Sequence, residues 1–381
     1  MNMINNVTKA LQRQWSSRSS DQRFLNLDDM LNFSQYQKRT SESIIKSSAN
    51  INFVSPGPDS NELGISVNGE FYEPTHWSFG QICRLVRAPA HYFREQQAAL
   101  TQKCLENDWV KRNKVLGVKN FNFFIQKTDN PNEPIGDKAY REPHRYLRAI
   151  TSENYQRIDN AEVIKRLIDN VGNGRDGKYR CPHVRGAPEQ NCLDTTTLFA
   201  SDRDMWVFLC DETKFIRVEN RRDGADRLSR GFMLWNSEVG SASLGMATFL
   251  YDHVCNNRLV MGVKDVTEKR IYHTASGPEK YITEMMPLLE NYANASMKEE
   301  ESLIKNAQAT KVTNVEKLFS KEFGKKEVKK FTDIHMEEEN RPIETYWDVA
   351  TAITAHARSI PHQNERIRVE RKAGKILQMA A

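Results

Sequence analysis

The sequence predicts an α+β fold, a mixed and mainly antiparallel β-sheet body with flanking helices, followed by a helical C-terminal region. Three observations predict it. Asn68-Gly69 stands between the runs Leu63-Gly64-Ile65-Ser66-Val67 and Glu70-Phe71-Tyr72, the strongest short-range signal for a hairpin. Residues 193 to 263 hold β-branched and aromatic runs separated by polar turns. After about residue 277 the apolar spacing becomes helical. Runs of strands followed by runs of helices belong to α+β rather than doubly wound α/β order.

This pattern divides the chain into a polar N-terminal arm with a short helix (1–50), an α+β core (51–277) and a helical region with a basic tail (278–381). In the arm, Leu25 to Leu31 starts a short helix. Ser78-Phe79-Gly80-Gln81 reads as a capping box, and Pro89 starts a helix through His91 to Trp109. Strands are expected at Phe121–Ile125 and Tyr146–Ile150, with an amphipathic helix over Ala161–Ile168. The central runs Thr195–Ala200, Met205–Cys210, Lys214–Val218 and Gly231–Trp235 read as strands, Ser241–Cys255 as a helix, and Leu259–Met261 as a last strand. Met285–Ala307 and Asn314–Phe331 follow as helices, the second capped by Asn314. Thr345–Arg358 puts Tyr346, Val349, Ala350, Ile353 and Ala357 on one stripe and ends before Pro361.

Composition sets broad limits. A chain of 381 residues with 39% hydrophobic and 28% charged residues has the material for a substantial core. No apolar run approaches the roughly 20 residues that cross a bilayer, and the first residues carry no apolar signal core. A cytoplasmic location without membrane attachment is the expectation. Six scattered cysteines in so long a chain read as reduced core residues rather than a disulfide framework. A net charge of +5 permits contact with an anionic polymer without demanding one.

No catalytic centre is legible. Gly172-Asn173-Gly174-Arg175-Asp176-Gly177-Lys178-Tyr179 resembles a phosphate-binding loop. It follows a helix instead of a strand, however, and Tyr179 stands where a hydroxyl ligand of Mg²⁺ belongs, so a helix C-cap entering a loop is the better reading. Cys181, His183 and Cys192 offer three zinc ligands but no second ligand pair. Asp202, Asp204, Glu238 and Asp252 are candidates for a nuclease metal site, although acids at turns usually cap or face solvent. His144 and His253 lack a paired nucleophile. No cofactor is implied.

Basic residues interleaved with aromatics carry the functional expectation. Lys138 to Arg148 places Arg141, Arg145 and Arg148 beside Tyr140 and Tyr146. Arginine holds phosphates and tyrosine offers a stacking face, the combination used on single strands. Arg217, Arg221 and Arg222, with Arg227 and Arg230, form a second cluster. Lys321, Lys325, Lys326, Lys329 and Lys330 form a third, and Arg358, Arg366, Arg368, Arg371, Lys372 and Lys375 a fourth.

Two stretches and a C-terminal helix carry a resemblance. Arg148-Ala149-Ile150-Thr151-Ser152-Glu153-Asn154-Tyr155-Gln156-Arg157-Ile158-Asp159-Asn160 is similar to a segment of an uncharacterised family of phage- and plasmid-like proteins. So is Leu234-Trp235-Asn236-Ser237-Glu238-Val239-Gly240, with Tyr251-Asp252-His253-Val254-Cys255-Asn256-Asn257 behind it. Thr345 to Thr354 resembles the family's C-terminal helix, with Thr351 where Asn is usual. The resemblance spans about residues 78–358 and implies a phage, prophage or plasmid setting and a cytoplasmic protein, without supplying an activity. By their types, Asn236, Ser237 and Asn256 close turns.

The resulting expectation is a non-enzymatic nucleic-acid-binding protein, with single-stranded DNA favoured, acting in replication or recombination as a binder or annealer. Tyr140, Arg141, Arg145, Tyr146, Arg148, Arg217, Arg221 and Arg222 would face the strand, and self-association fits the role. The alternatives are an interaction factor directed at a host defence system and, ranked last, a metal-dependent nuclease.

Overall fold

The computed structural model describes residues 20–55, 63–67, 69–128, 144–182, 192–193, 196–221, 224–253, 257–259, 268–360 and 363–380. Its fold is α+β, with two mostly antiparallel sheets and a helical C-terminal region.

After β1 (Arg23–Phe24), helix α1 runs over Leu27–Thr40 and is longer than the sequence signal at Leu25–Leu31. Asn26 caps it, its Oδ1 accepting from the Asp29 amide at 2.8 Å. Leu27 and Met30 are buried. The polar stretch that follows forms β2 (Ser41–Ser47), an edge strand paired along its whole length with β6 (Asn120–Thr128). Between them lie β3 (Asn52–Val54), β4 (Gly64–Val67), β5 (Glu70–Pro74) and helices α2 (His76–Leu85), α3 (Ala90–Arg94) and α4 (Ala98–Leu116). With β7 (His144–Ser152), the strands make a six-stranded sheet in the order β2-β6-β7-β5-β4-β3. The β5–β7 pair is parallel and the rest antiparallel. Hairpin β4–β5 forms where the Asn-Gly signal placed it. Helix α2 begins three residues earlier than expected, because Thr75 and not Ser78 supplies the cap oxygen. The helix expected from Pro89 breaks after Arg94 and restarts at Ala98.

Helix α5 (Asn160–Val171) ends at Gly172, whose φ of +86° is the left-handed turn a C-cap glycine provides. Glycines 172–177 therefore form a helix exit and not a phosphate cradle. The second sheet then assembles from β8 (Tyr179–Arg180), β9 (Leu198–Ala200), β10 (Met205–Asp211), β11 (Ile216–Arg221), β12 (Gly224–Asn236), β13 (Leu244–Asp252), β14 (Asn257–Leu259) and β15 (Glu268–Ile271). Its main path is β1-β9-β10-β12-β13-β14, with β8, β11 and β15 attached to its flanks.

Ser241–Cys255, expected as a helix, contains strand β13 instead. All nine of its residues are buried. A strand covered on both faces loses the alternation that marks a half-buried one, and its apolar run then imitates a helix.

The two faces of this large sheet are covered differently. One packs Val207, Leu209, Phe232 and Leu234 against α1, α5 and the helical stretch Gly277–Lys280, Tyr281–Met285 and Met286–Asn294, together α6. The other gathers Phe199, Trp206, Phe208, Met233, Trp235 and Phe249 with Ile367. Helices α7 (Lys298–Ala309), α8 (Val315–Phe323), α9 (Val328–Glu339), α10 (Tyr346–Ala357) and α11 (Gln363–Gln378) build a third core against Ile216, Val218 and Leu228. Two helices expected as continuous are broken. Gly324, at φ +89°, separates α8 from α9. Between α6 and α7, Arg230 captures the carbonyls of Tyr292, Ala295 and Ser296.

Candidate functional site

Two of the segments with the family resemblance, Arg148–Asn160 and Leu234–Gly240, meet in space. They build a buried polar joint between the two sheets, and that joint holds a cationic surface above it.

At the centre is Glu238, in the turn after β12. Its Oε2 lies 3.2 Å from Arg148 Nη2, both side chains being at most 3% exposed, and its Oε1 accepts from the Asn160 amide at 2.8 Å. Arg148 also donates to Ser41 Oγ at 3.2 Å and to the Asp202 carbonyl at 3.1 Å. Arg157 donates to the Glu238 carbonyl at 3.1 Å and to Ser43 Oγ at 2.6 Å. Both guanidiniums lie over Phe124, with centroid distances of 4.6 and 3.3 Å. Burial pulls the Arg157 pKa down to about 10, partly offset by the charge of Glu238. Asn236 closes the joint, donating to the Ile158 carbonyl at 2.7 Å and to Asn160 Oδ1 at 2.8 Å. Buried charges that lose water need such partners.

Ser237, Val239 and Gly240 then turn the chain towards the first sheet. Ser237 Oγ donates to the Arg203 carbonyl at 2.7 Å, and the Val239 carbonyl accepts from Trp77 Nε1 at 2.9 Å and from Gln81 Nε2 at 3.0 Å. These bonds fix both partners of a stacked pair, since the exposed Arg203 guanidinium lies 4.6 Å from the Trp77 ring centroid. Arg84, also exposed, lies 5.8 Å from the same ring. On the adjoining side Arg94 sits 5.3 Å from the Phe79 ring and donates to the His76 carbonyl at 2.8 Å. Burial, Arg94 and Arg203 together push the His76 pKa down, against a smaller opposing effect of Asp202. Three solvent-facing guanidiniums thus rest on two aromatic rings. Cation–π contact holds the forks of Arg84 and Arg203 at the surface, where they can meet an anion in a bidentate way, while Arg94 already gives Nη2 to the His76 carbonyl.

The sequence-derived candidates fall elsewhere. Tyr140, Arg141 and Arg222 lie outside the described residues, as does the side chain of Arg221. Arg145 and Tyr146 are half-buried on β7, and Arg145 Nη2 lies 3.5 Å from Glu70. Arg148, 1% exposed, does not reach solvent, because alternation along β7 turns it to the joint. Arg217 is exposed and stands directly opposite Arg227 in the β11–β12 ladder. Of the other basic residues, Arg230 is buried on Glu300 at 2.6 Å, Arg366 on Glu370 at 2.5 Å, and Arg358 and Arg371 pair with Glu338 and Glu268. Lys321, Lys325, Lys326, Lys329 and Lys330 remain exposed around the α8–α9 turn.

The acids of the nuclease alternative do not converge. Glu238 is fixed in the joint, Asp204 accepts from Ser201 Oγ and Trp206 Nε1, and Asp252 is in the sheet. Among the described residues no three His, Cys, Asp or Glu side chains are grouped to hold a metal, and no helix is long and apolar enough to cross a membrane. His183 lies outside the described residues, and burial raises the Cys181 thiol pKa.

A family described as Domain of unknown function (DUF932) matches residues 149–366, more than half of the chain. The chain belongs to this family. The DUF932 match begins inside β7, next to Arg148, and takes in the joint, the second sheet and most of the helical region. Trp77, Arg84 and Arg94 precede it, so the cationic surface lies where the family domain meets the preceding sheet. No curated protein and no solved structure matches the chain.

Proposed function

We propose that this DUF932 protein binds single-stranded nucleic acid, DNA in preference, and serves replication or recombination of a phage or plasmid from the host cytoplasm. The observation that carries the reading is the set of exposed arginines, Arg84, Arg94 and Arg203, held within cation–π distance of Trp77 and Phe79. Guanidiniums held on aromatic rings supply phosphate contacts, and aromatic faces between them favour unpaired bases. The net charge of +5 and the exposed lysines of the α8–α9 turn extend the attraction along the molecule. Arg217 supports it from a second place. It stands exposed on β11, opposite Arg227, and adds positive charge there. Tyr140, Arg141, Arg145, Tyr146, Arg221 and Arg222 belong to the same proposal as further contacts along the strand, and Arg148 as the residue that steadies it. Binding by more than one copy suits annealing. The resemblance of the Arg148–Asn160 and Leu234–Gly240 segments to phage- and plasmid-like proteins supports the setting.

The test is a salt titration of fluorescent single-stranded and duplex DNA. Saturable binding that favours the single strand and weakens with salt is expected. Arg84→Ala/Arg203→Ala should lower the log–log salt slope by about 1.4, roughly 0.7 for each lost phosphate contact. Surface changes of this kind alter stability by only about 0.5 kcal/mol, so the fold stays intact. No binding at low salt, where attraction is strongest, rejects the reading.

A further inference from the structure

A cleft of about 260 Å³ opens beside the arginine surface, its lining including Glu73, His76, Phe79, Phe93, Arg94 and Gln96. Its volume falls just below the roughly 300 Å³ at which drug-sized ligand pockets begin, so it suits a single planar ring system and not a whole nucleotide. Two aromatic rings contribute to its wall, and one of them, Phe79, carries the Arg94 guanidinium. A guanidinium backed by an aromatic ring is a surface on which nucleobases stack. The polar lining discriminates further. Gln96 brings both a donor and an acceptor, and Glu73 a carboxylate. The Glu73 carboxylate would repel a phosphate but accept from the N–H edge of a base. The phosphate-seeking groups Arg84 and Arg203 stand outside the cleft lining, across His76 and Trp77.

From this division of labour we infer that the cleft takes one unstacked nucleobase while the backbone runs over Arg94, Arg203 and Arg84. The inference rests on the single-strand reading above and assigns its base-recognition element. It is tested by comparing a twelve-nucleotide thymidine strand with an abasic phosphodiester of the same length, each titrated onto the full chain at one salt concentration. The base-bearing strand should bind about tenfold tighter, the scale of one stacked base. Gln96→Ala, at a half-buried loop position, should shrink that ratio while leaving the abasic strand nearly unaffected, and Phe79→Leu, which keeps an apolar side chain but removes the ring under Arg94, should shrink the ratio while weakening both strands. Circular dichroism confirms that each variant is folded. Equal affinities for the two strands overturn the inference and leave the phosphate-binding reading standing. A preference that persists undiminished in both variants overturns it as well, since the base then stacks elsewhere. Failure of both strands to bind rejects the reading and the inference together.

Discussion

His273 sits against the joint with its ring stacked on Tyr155, at a centroid distance of 4.9 Å, and its Nδ1 accepts from the Ile158 amide at 3.3 Å. Burial lowers its pKa from 6.5 to about 4, with a smaller downward push from the Arg157 charge. Above pH 6.5 the ring is neutral in folded and unfolded chains alike, and it adds no pH dependence. As pH falls from about 6.5 to about 4 the unfolded chain takes up a proton that the folded one refuses, so stability decreases over that window by up to about 3 kcal/mol. Urea unfolding at pH 7.5 and pH 4.5 should show this loss, and His273→Asn should flatten it. An unchanged slope in the variant would place the titration on another group. This residue was not legible as special from its neighbours in the chain, because its burial comes from Tyr155 and the segment before α5, far away in sequence.

At the element scale, the long antiparallel pair β12–β13 depends on close backbone approach. Gly245 stands directly opposite Trp235, and Gly231 directly opposite Phe249, so each ring lies across a glycine. A Cβ at Gly245 would run into the indole of Trp235. Gly245→Ala should therefore destabilise by about 1–3 kcal/mol, read from the urea midpoint, whereas alanine at an uncrowded position would not. Capping gives a second prediction. Thr345 Oγ1 accepts from the Asp348 amide at 3.2 Å, and the Asp348 carboxylate accepts from Thr345 N at 3.0 Å and ion-pairs with Arg341. Thr345→Ala should cost about 1 kcal/mol in thermal unfolding. Elements of this kind were readable where the signal is local. Asn314 accepts from the Lys317 amide at 2.7 Å as its position announces, and β4 and β5 pair on either side of the Asn-Gly signal. Where the fold depends on what covers a segment, the reading failed. The apolar run of β13 looked helical because both its faces are buried, and the polar β2 looked unstructured because an edge strand needs no apolar alternation.

For the molecule as a whole, the Arg148–Glu238 pair connects the two sheets and also sets the cationic surface, since Arg148 holds the Asp202 carbonyl next to Arg203. The residues of this joint were quoted for their resemblance to a family, yet their pairing was hidden. Arg148 and Glu238 are 90 positions apart, and local spacing carries no information about such a contact. For the same reason local sequence gives no sign that Arg148 is buried, nor that Trp77 and Arg203, 126 positions apart, lie together on the cationic surface. Removing one partner leaves the other charge buried, so Arg148→Ala and Glu238→Ala should each cost about 3–5 kcal/mol. Replacing both with apolar residues of similar size, Arg148→Met/Glu238→Leu, removes the charges together and should recover much of that loss. The double variant also separates stability from function. It restores packing but not the hydrogen bond to the Asp202 carbonyl, so the Arg203 turn loses one of its anchors. Single-strand affinity should then stay below that of the native chain even where the urea midpoint has recovered. If affinity returns in step with stability, the joint supports the fold alone, and the position of Arg203 is set by Ser237 and Trp77.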